Sequence, residues 1–455
     1  PEMANSKVTK KPSASSGDNF FERVFKLKEH NTTIGIEVMA GLTTFMTMAY
    51  IIAVNPGMLA ETQQVSFDAA LIATVLSAAF ATFLMAFLAN YPFALAPGMG
   101  LNAYFVYTVI NGMGYTYAQA LTAVLISGIV FIILTVTGLR QAIVKAIPNN
   151  LKAGIGAGIG LFIAFLGLKN AGIMVSDSAT LLGLGDMTSA PVILAIVGLI
   201  VTAVLMYKNV KGSILIGMAI TTVLAWITKV APGPAGIVAW PNLGAWSSEA
   251  LFKLSGFKTL GILGVVEVVF AFFFVDMFDT IGTLVGVAKR SNMLDKDGNL
   301  PKIDKAMLAD AIGTCFGAAA GTPTVTTYVE SASGVAAGGK TGLTALTVAV
   351  CFLVFGLFFS PIVAAVPGFA TAPALIIVGV LMMQSIKDVD WSDFSEALPT
   401  FAAISFMPFT FSISNGIAFS FIFYSLVKLL SGKGKEVHWL MYVLSLAFVL
   451  KFAFL

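Results

Sequence analysis

Apolar stretches near twenty residues long, separated by short polar or Gly- and Pro-rich breaks, follow one another from Ile34 to the end of the chain. Each is long enough to span about 30 Å of hydrocarbon as a helix. The breaks predict spans near 35–58, 68–90, 93–112, 117–139, 151–169, 190–207 and 213–229. A second set falls near 259–288, 305–321, 323–339, 342–366, 371–386, 397–413 and 415–430. A last apolar stretch, 438–455, carries Lys451 near its end, and its pattern leaves open whether it crosses. Alternating ten-residue strands are absent, so the pattern is that of an all-α polytopic membrane protein and not of a barrel.

Seven spans per half is an odd number, so the second half enters the membrane upside down relative to the first. Inverted repeats of this kind mark secondary transporters. The expected organisation is an N-terminal segment 1–30, a first repeat 31–230, a connection 231–258, a second repeat 259–430 and a C-terminal segment 431–455. Local echoes support the pairing of halves. PFALAPGMGLNAYFVYTVI (92–110) and GTPTVTTYVESASGVAAGG (321–339) both start with helix-poor sequence and continue into a helix-compatible stretch. Asn102 in the first and Glu330 in the second are 228 positions apart, half the chain. Both segments read as broken spans, and non-helical backbone at membrane depth survives only where it is buried in protein or lines a cavity. The site is therefore expected where the two breaks face each other, with Asn102 turned towards it.

Composition agrees: 58% of residues are hydrophobic and 11% charged, roughly half the usual charged share of a soluble domain. A net charge of +3 is too small to argue for nucleic acid. The location of the charges says more. With a cytoplasmic N-terminus, 21 of the 26 lysines and arginines fall inside and four outside, Lys451 being unassigned. That satisfies the positive-inside rule and predicts a multi-pass protein of the cell membrane. Pro1 and Glu2, ahead of Met3, read as an expression remnant, and the charged segment Ser6–His30 lacks the apolar centre of a signal peptide. Cys315 and Cys351 sit alone in apolar segments, which offers neither a disulfide framework nor a metal motif, and no cofactor is implied.

Candidate chemistry is confined to a few acids: Glu267, Asp276, Asp279, Asp310 and Glu330. An ionisable group at membrane depth is expensive, so function is its default reading. The run AFFFVDMFDTIGTLVGVAK (271–289) carries two of them, Asp276 and Asp279, about 60° apart on one helix face, with Glu267 pointing the other way. Glu267 and Asp310 read as structural. No Lys, Arg or His lies between His30 and Arg140, between Lys258 and Lys289, or from Ala306 to Gly339. Both histidines, His30 and His438, are outside the fourteen spans, so the usual proton switch is missing and carboxylates must carry any proton. Burial without a cation favours the protonated form of a carboxylate, whereas a half-helix N-terminus, where Glu330 sits, pulls the other way. Other patterns are weaker. The glycines of AGIGAGIG (153–160) read as a close helix contact. GAAAGTPT (317–324) lacks the lysine of a phosphate loop. Thr43, Thr44, Thr47 and Tyr50 make a polar stripe that faces either the cavity or a neighbouring helix.

APGMGLNAYF (96–105), FDTIGTLVGVA (278–288) and TTYVESASGVAAGGKTGLTA (326–345) resemble the azaguanine-resistance-type purine permeases, a branch of the nucleobase/ascorbate (xanthine/uracil permease-like) transporters. FERVFKLKEHNTT and GLTTFMTMAYIIAVNP extend the likeness to nearly the whole chain after its first twenty residues. The resemblance implies fourteen helices in two inverted seven-helix repeats, core and gate domains, short antiparallel strands in segments 3 and 10, and a homodimer. It implies a base held between segments 1, 3, 8 and 10, by Asp279 and Glu330, with Asn102, Thr283, Val329 and Asp276 beside them. Related uracil permeases carry a histidine four positions after the segment-8 acid; here that position is Thr283, which returns the proton to Glu330, Asp279 and Asp276.

The expectation is a proton-coupled purine nucleobase importer working by alternating access, without enzymatic activity. Ionised carboxylates accept hydrogen bonds, which suits the N1–H of guanine and hypoxanthine and the 2-amino group of guanine. Adenine offers an acceptor at N1 and is the alternative. An anion transporter of the same fold is the rival of another substrate class. A membrane enzyme would need a nucleophile–base pair or metal ligands, for which the spans supply no His or Cys cluster.

Overall fold

The computed structural model describes residues 19–258, 260–290, 292–296 and 300–454. Pro1, Glu2 and the basic positions Lys7, Lys10 and Lys11 lie outside the described residues. The first half runs α1 (Phe20–Phe25), α2 (Ile34–Met48), α3 (Ile51–Ala60), α4 (Phe67–Leu84), β1 (Leu95–Pro97), α5 (Met99–Ala103), α6 (Tyr117–Thr137), α7 (Leu139–Ala146), α8 (Asn149–Asn170), β2 (Met174–Asp177), β3 (Leu181–Leu184), α9 (Ala190–Tyr207) and α10 (Ser213–Ile227). After the short α11 (Leu243–Glu249) come α12 (Ile262–Arg290), α13 (Ile303–Ala320), β4 (Val325–Thr327), α14 (Ser331–Ala336), α15 (Gly342–Cys351), α16 (Ser360–Ala364), α17 (Gly368–Met383), α18 (Phe394–Phe409), α19 (Ile413–Leu430) and α20 (Trp439–Phe454). Among the described residues, seven helical stretches are long and apolar enough to cross a membrane unaided. Others are broken or shortened.

Local chemistry sets the element ends. Thr33, Ser66 and Ser412 accept N–H groups of the first turns of α2, α4 and α19. Thr116 and Gln119 form a reciprocal box at the start of α6, satisfying two otherwise orphaned donors. Helix α13 stops at Gly321, whose φ of 109° lies in the region only glycine adopts readily. Pro92 and Pro97 on one side and Pro323 on the other interrupt the helical hydrogen-bond ladder around them. The interrupted stretches form β1 and β4, which pair antiparallel with Leu95 opposite Thr327, Ala96 opposite Thr326 and Pro97 opposite Val325. The helix resumes after each strand, as α5 and α14. On the first side it widens into a π-helical stretch over Tyr104–Gly112.

Two packed bodies result. In one, α13 lies against α4 and α6, α15 and α14 against α2, α12 against α6, and the β1–β4 pair is held between them. In the other, α8 packs against α17 and α18, α9 and α10 against α17, and α18 against α19. The glycine run of α8 makes the second contact close. A Cβ on Gly158 would come within 2.5 Å of the Ala403 carbonyl, and one on Gly154 within 2.7 Å of Thr400. Only hydrogen fits there. Pairing of Ser425 with Ser445 (2.7 Å), Phe421 with Phe448 and Phe419 with Phe452 shows that α20 runs back antiparallel along α19.

The sequence pattern missed the small elements. The hairpin β2–β3 and the short helices α7 and α11 sit in connections between the expected spans, where no element was expected.

Candidate functional site

The two strand–helix breaks meet back to back. Gly98 N–H donates to the Thr324 carbonyl (3.0 Å), Tyr328 N–H to the Ala94 carbonyl (2.9 Å), and the Tyr328 hydroxyl to the Pro97 carbonyl (2.5 Å). The Ser331 hydroxyl accepts from Ala94 N–H at 2.9 Å. With its backbone polar groups answered this way, non-helical chain is tolerated at the centre of an apolar protein. Helix α12 docks against the pair: the Thr280 and Thr326 hydroxyls are 2.9 Å apart. The residue before Thr280 is Asp279, and the residue three beyond Thr327 is Glu330. The strand pair thus fixes both acids relative to one another.

Asp279 and Glu330 are half-buried, whereas most of the polar side chains around them are fully enclosed. Helix α12 also packs against α14, whose N-cap residue is Glu330. Glu330 Oε1 accepts the Tyr50 hydroxyl at 2.5 Å. Thr47 and Ser333, 3.0 Å apart, fill the space beneath the Glu330 carbonyl, which accepts from Ser333 at 2.7 Å. Among the described residues, none donates a hydrogen bond to the Asp279 carboxylate, and neither acid has an ion-pair partner. Two acceptors therefore converge from different elements with capacity to spare. That arrangement suits a neutral ligand presenting N–H groups.

The other expected residues fall at different depths. Thr283 is buried one turn beyond Asp279, while Val329 is exposed beside Glu330. Asp276 is enclosed and accepts from Thr314 at 3.2 Å. Asn102 is enclosed too: its amide nitrogen donates to Asn55 Oδ1 at 2.6 Å, and Asn55 in turn donates to Thr74 (2.7 Å) and Thr322 (3.1 Å). Among the described residues, the Asn102 side-chain oxygen has no partner. The structure brings Asp279 and Glu330 together and sets Asn102 into a polar chain that fastens α5 to α3.

Tyr50 and Ser333 were not among the expected site residues. The polar stripe on α2 was the available signal: Thr47 and Tyr50 meet Glu330 and Ser333, Thr43 bonds back to Met39, and Thr44 lies against Gly334, where a Cβ would sit 1.9 Å from its hydroxyl. Nor could the sequence show the partner of Glu267. Lys451 reaches it from α20 at 2.5 Å, and the Ser414 hydroxyl donates to the same oxygen at 2.7 Å. A cavity of about 560 Å³ opens elsewhere, lined by Asp68, Trp240, Asn242 and Pro361, without a converging pair of charges. Among the described residues, no group of three or more His, Cys, Asp or Glu is arranged to hold a metal ion.

Comparison with known proteins identifies the family. A family model described as the permease family, that of xanthine/uracil permeases, matches residues 35–419. The chain is 48% identical to the guanine/hypoxanthine permease PbuO of Bacillus subtilis, covering 94% of this chain and 99% of that one. It is 40% identical to the adenine permease AdeP of Escherichia coli, covering 97% and 98%. Among solved structures, the transmembrane domain of the cyanobacterial bicarbonate transporter BicA superposes with a TM-score of 0.61 at 16% identity, covering 84% of this chain and 96% of that one. That last likeness is one of fold. The chain belongs to the xanthine/uracil permease family: it is a membrane permease and not an enzyme.

Proposed function

We propose that this permease imports purine nucleobases together with protons, by alternating access of the body that carries Asp279 and Glu330. One observation carries the reading. Two half-buried carboxylates converge from α12 and the β4–α14 break without a basic partner among the described residues, leaving acceptors for ligand N–H groups. Guanine and hypoxanthine fit such acceptors through N1–H, and guanine adds its 2-amino group. The 48% identity to a guanine/hypoxanthine permease supports the same choice. Adenine is the second reading, favoured by the 40% identity to an adenine permease. It requires one acid to be protonated so that it can donate to N1. In this reading the N-terminus is cytoplasmic, the two bodies act as core and gate, and the inverted halves exchange roles during the cycle.

The test is uptake of labelled hypoxanthine in vesicles, competed by guanine, adenine, xanthine and uracil, with and without a protonophore. Competition by guanine and hypoxanthine, and collapse of accumulation by the protonophore, are expected. Stronger competition by adenine would transfer the assignment to adenine. Uptake of sulfate or bicarbonate in place of any base would overturn it.

A further inference from the structure

Two acids lie behind the binding geometry and are not used by it. Asp276 on α12 and Asp310 on α13 are 2% and 0% exposed. The two are neighbours across the α12–α13 contact: Asp276 accepts from Thr314, which lies one turn along α13 from Asp310. The remaining contacts of the pair are unequal. Asp310 Oδ2 accepts three bonds, from the Thr280 hydroxyl (2.7 Å), the Thr327 N–H (3.0 Å) and the Thr327 hydroxyl (3.2 Å). Asp276 Oδ2 accepts one, from Thr314. Each acid keeps a second oxygen, Oδ1, fully enclosed and without a donor among the described residues. The titratable groups facing the pair are Asp279, Cys315 on α13 and, farther off, Glu330, none of them a cation. Helices α4 and α6 and strands β1 and β4, which pack around it, contain no Lys, Arg or His.

Two carboxylates this close, dry and uncompensated cannot both stay ionised. We infer that Asp276 and Asp310 share the transported proton as a carboxyl–carboxylate pair, while Asp279 and Glu330 bind the base. The inference rests on the proton-coupled reading above and deepens it. The step is a simple one. The pair rests with one proton held between the two acids in an O–H···O contact, at a charge of −1, and a proton arriving from one side adds to the ionised member and brings the charge to 0. It leaves as a proton to the other side, with no other bond made or broken. The pair acts on the site through its neighbours, as positioning residues. Thr280 adjoins Asp279, and Thr327 ends the strand three residues before Glu330, so a change of charge at Asp310 is felt by both binding acids.

The experiment uses the full chain in proteoliposomes loaded with hypoxanthine. Asp276→Asn and Asp310→Asn each imitate the protonated partner permanently. Both should retain hypoxanthine exchange at equal pH yet lose accumulation driven by a pH gradient, falling to the protonophore-treated level. Asp276→Glu, which restores a carboxyl, should recover part of it. If both Asn variants keep gradient-driven accumulation, the pair is not the proton site, although the coupled reading stands. If the wild type itself shows no pH-driven accumulation, or follows a sodium gradient instead, proton coupling is what fails. Should the Asn variants not fold, infrared difference spectra decide the matter. A protonated-carboxyl band must shift when Thr314→Val removes the hydroxyl on Asp276, and a band indifferent to that change overturns the assignment.

Discussion

Asp279 and Glu330 were legible as residues because a carboxylate inside an apolar run has few structural excuses. Their surroundings were not. Tyr50 donates to Glu330 across 280 positions of sequence, and Lys451 answers Glu267 across 184, distances over which no local pattern operates. Asp310 read as structural for the same reason: its three donors come from α12 and β4. The site makes sharp demands of single side chains. Hydrogen bonds to charged groups contribute roughly 1.5–3 kcal/mol, so Asp279→Asn and Glu330→Gln should each weaken base binding about ten- to a hundredfold by calorimetry. Expression and melting temperature should stay near wild type. Tyr50→Phe removes only the hydroxyl on Glu330 and should weaken binding by up to about tenfold, since the acid is then free to turn or to take a proton. Binding of guanine unchanged in all three would refute the placement of the base.

Elements were read more completely than their contacts. The fourteen predicted stretches coincide with helices or strand–helix breaks to within a few residues, because length and apolarity are local properties. The strand pair itself came from the resemblance, since three-residue strands leave no periodicity to detect. The glycines of α8 were read as a packing face, and the structure shows what they face: α17 and α18. Gly158→Ala should therefore force the α8–α18 contact apart and cost about 1–3 kcal/mol, visible as a lower melting temperature in detergent. A second element-scale test concerns the ends of α12 and α20. Removing one member of a buried ion pair costs up to roughly 3–5 kcal/mol, because the other charge is left alone. Glu267→Gln should destabilise the protein markedly, and adding Lys451→Met should restore much of the loss. Additive losses in that double-mutant cycle would mean that the contact is incidental.

For the molecule as a whole, the charge asymmetry along the chain anticipated a multi-pass protein, but it could not divide the helices into bodies. That division follows from which faces pack. The β1–β4 pair belongs wholly to one body, so in the proposed cycle Asp279 and Glu330 would move as a unit against the α8–α17–α18 body. Among the contacts that join the bodies are polar ones: the Thr108 hydroxyl meets the Phe411 carbonyl at 2.9 Å and Ser414 meets Glu267. Cross-linking Thr108→Cys to Phe411→Cys should stop transport in vesicles and reduction should restore it; full activity in the cross-linked state would rule out relative motion there.

The antiparallel course of α20 bears on a question the apolar pattern had left open. Helix α19 ends among Lys428, Lys433 and Lys435, and α20 departs from that same face to carry Lys451 back to the level of Ser414. At about 1.5 Å per residue its sixteen residues climb some 24 Å. If α20 crosses alongside α19, a fusion partner attached beyond Lys451 is expected to emerge on the face opposite the lysines. With those lysines in the cytoplasm, alkaline phosphatase fused there would be active and a green fluorescent reporter exported in the unfolded state would be dark.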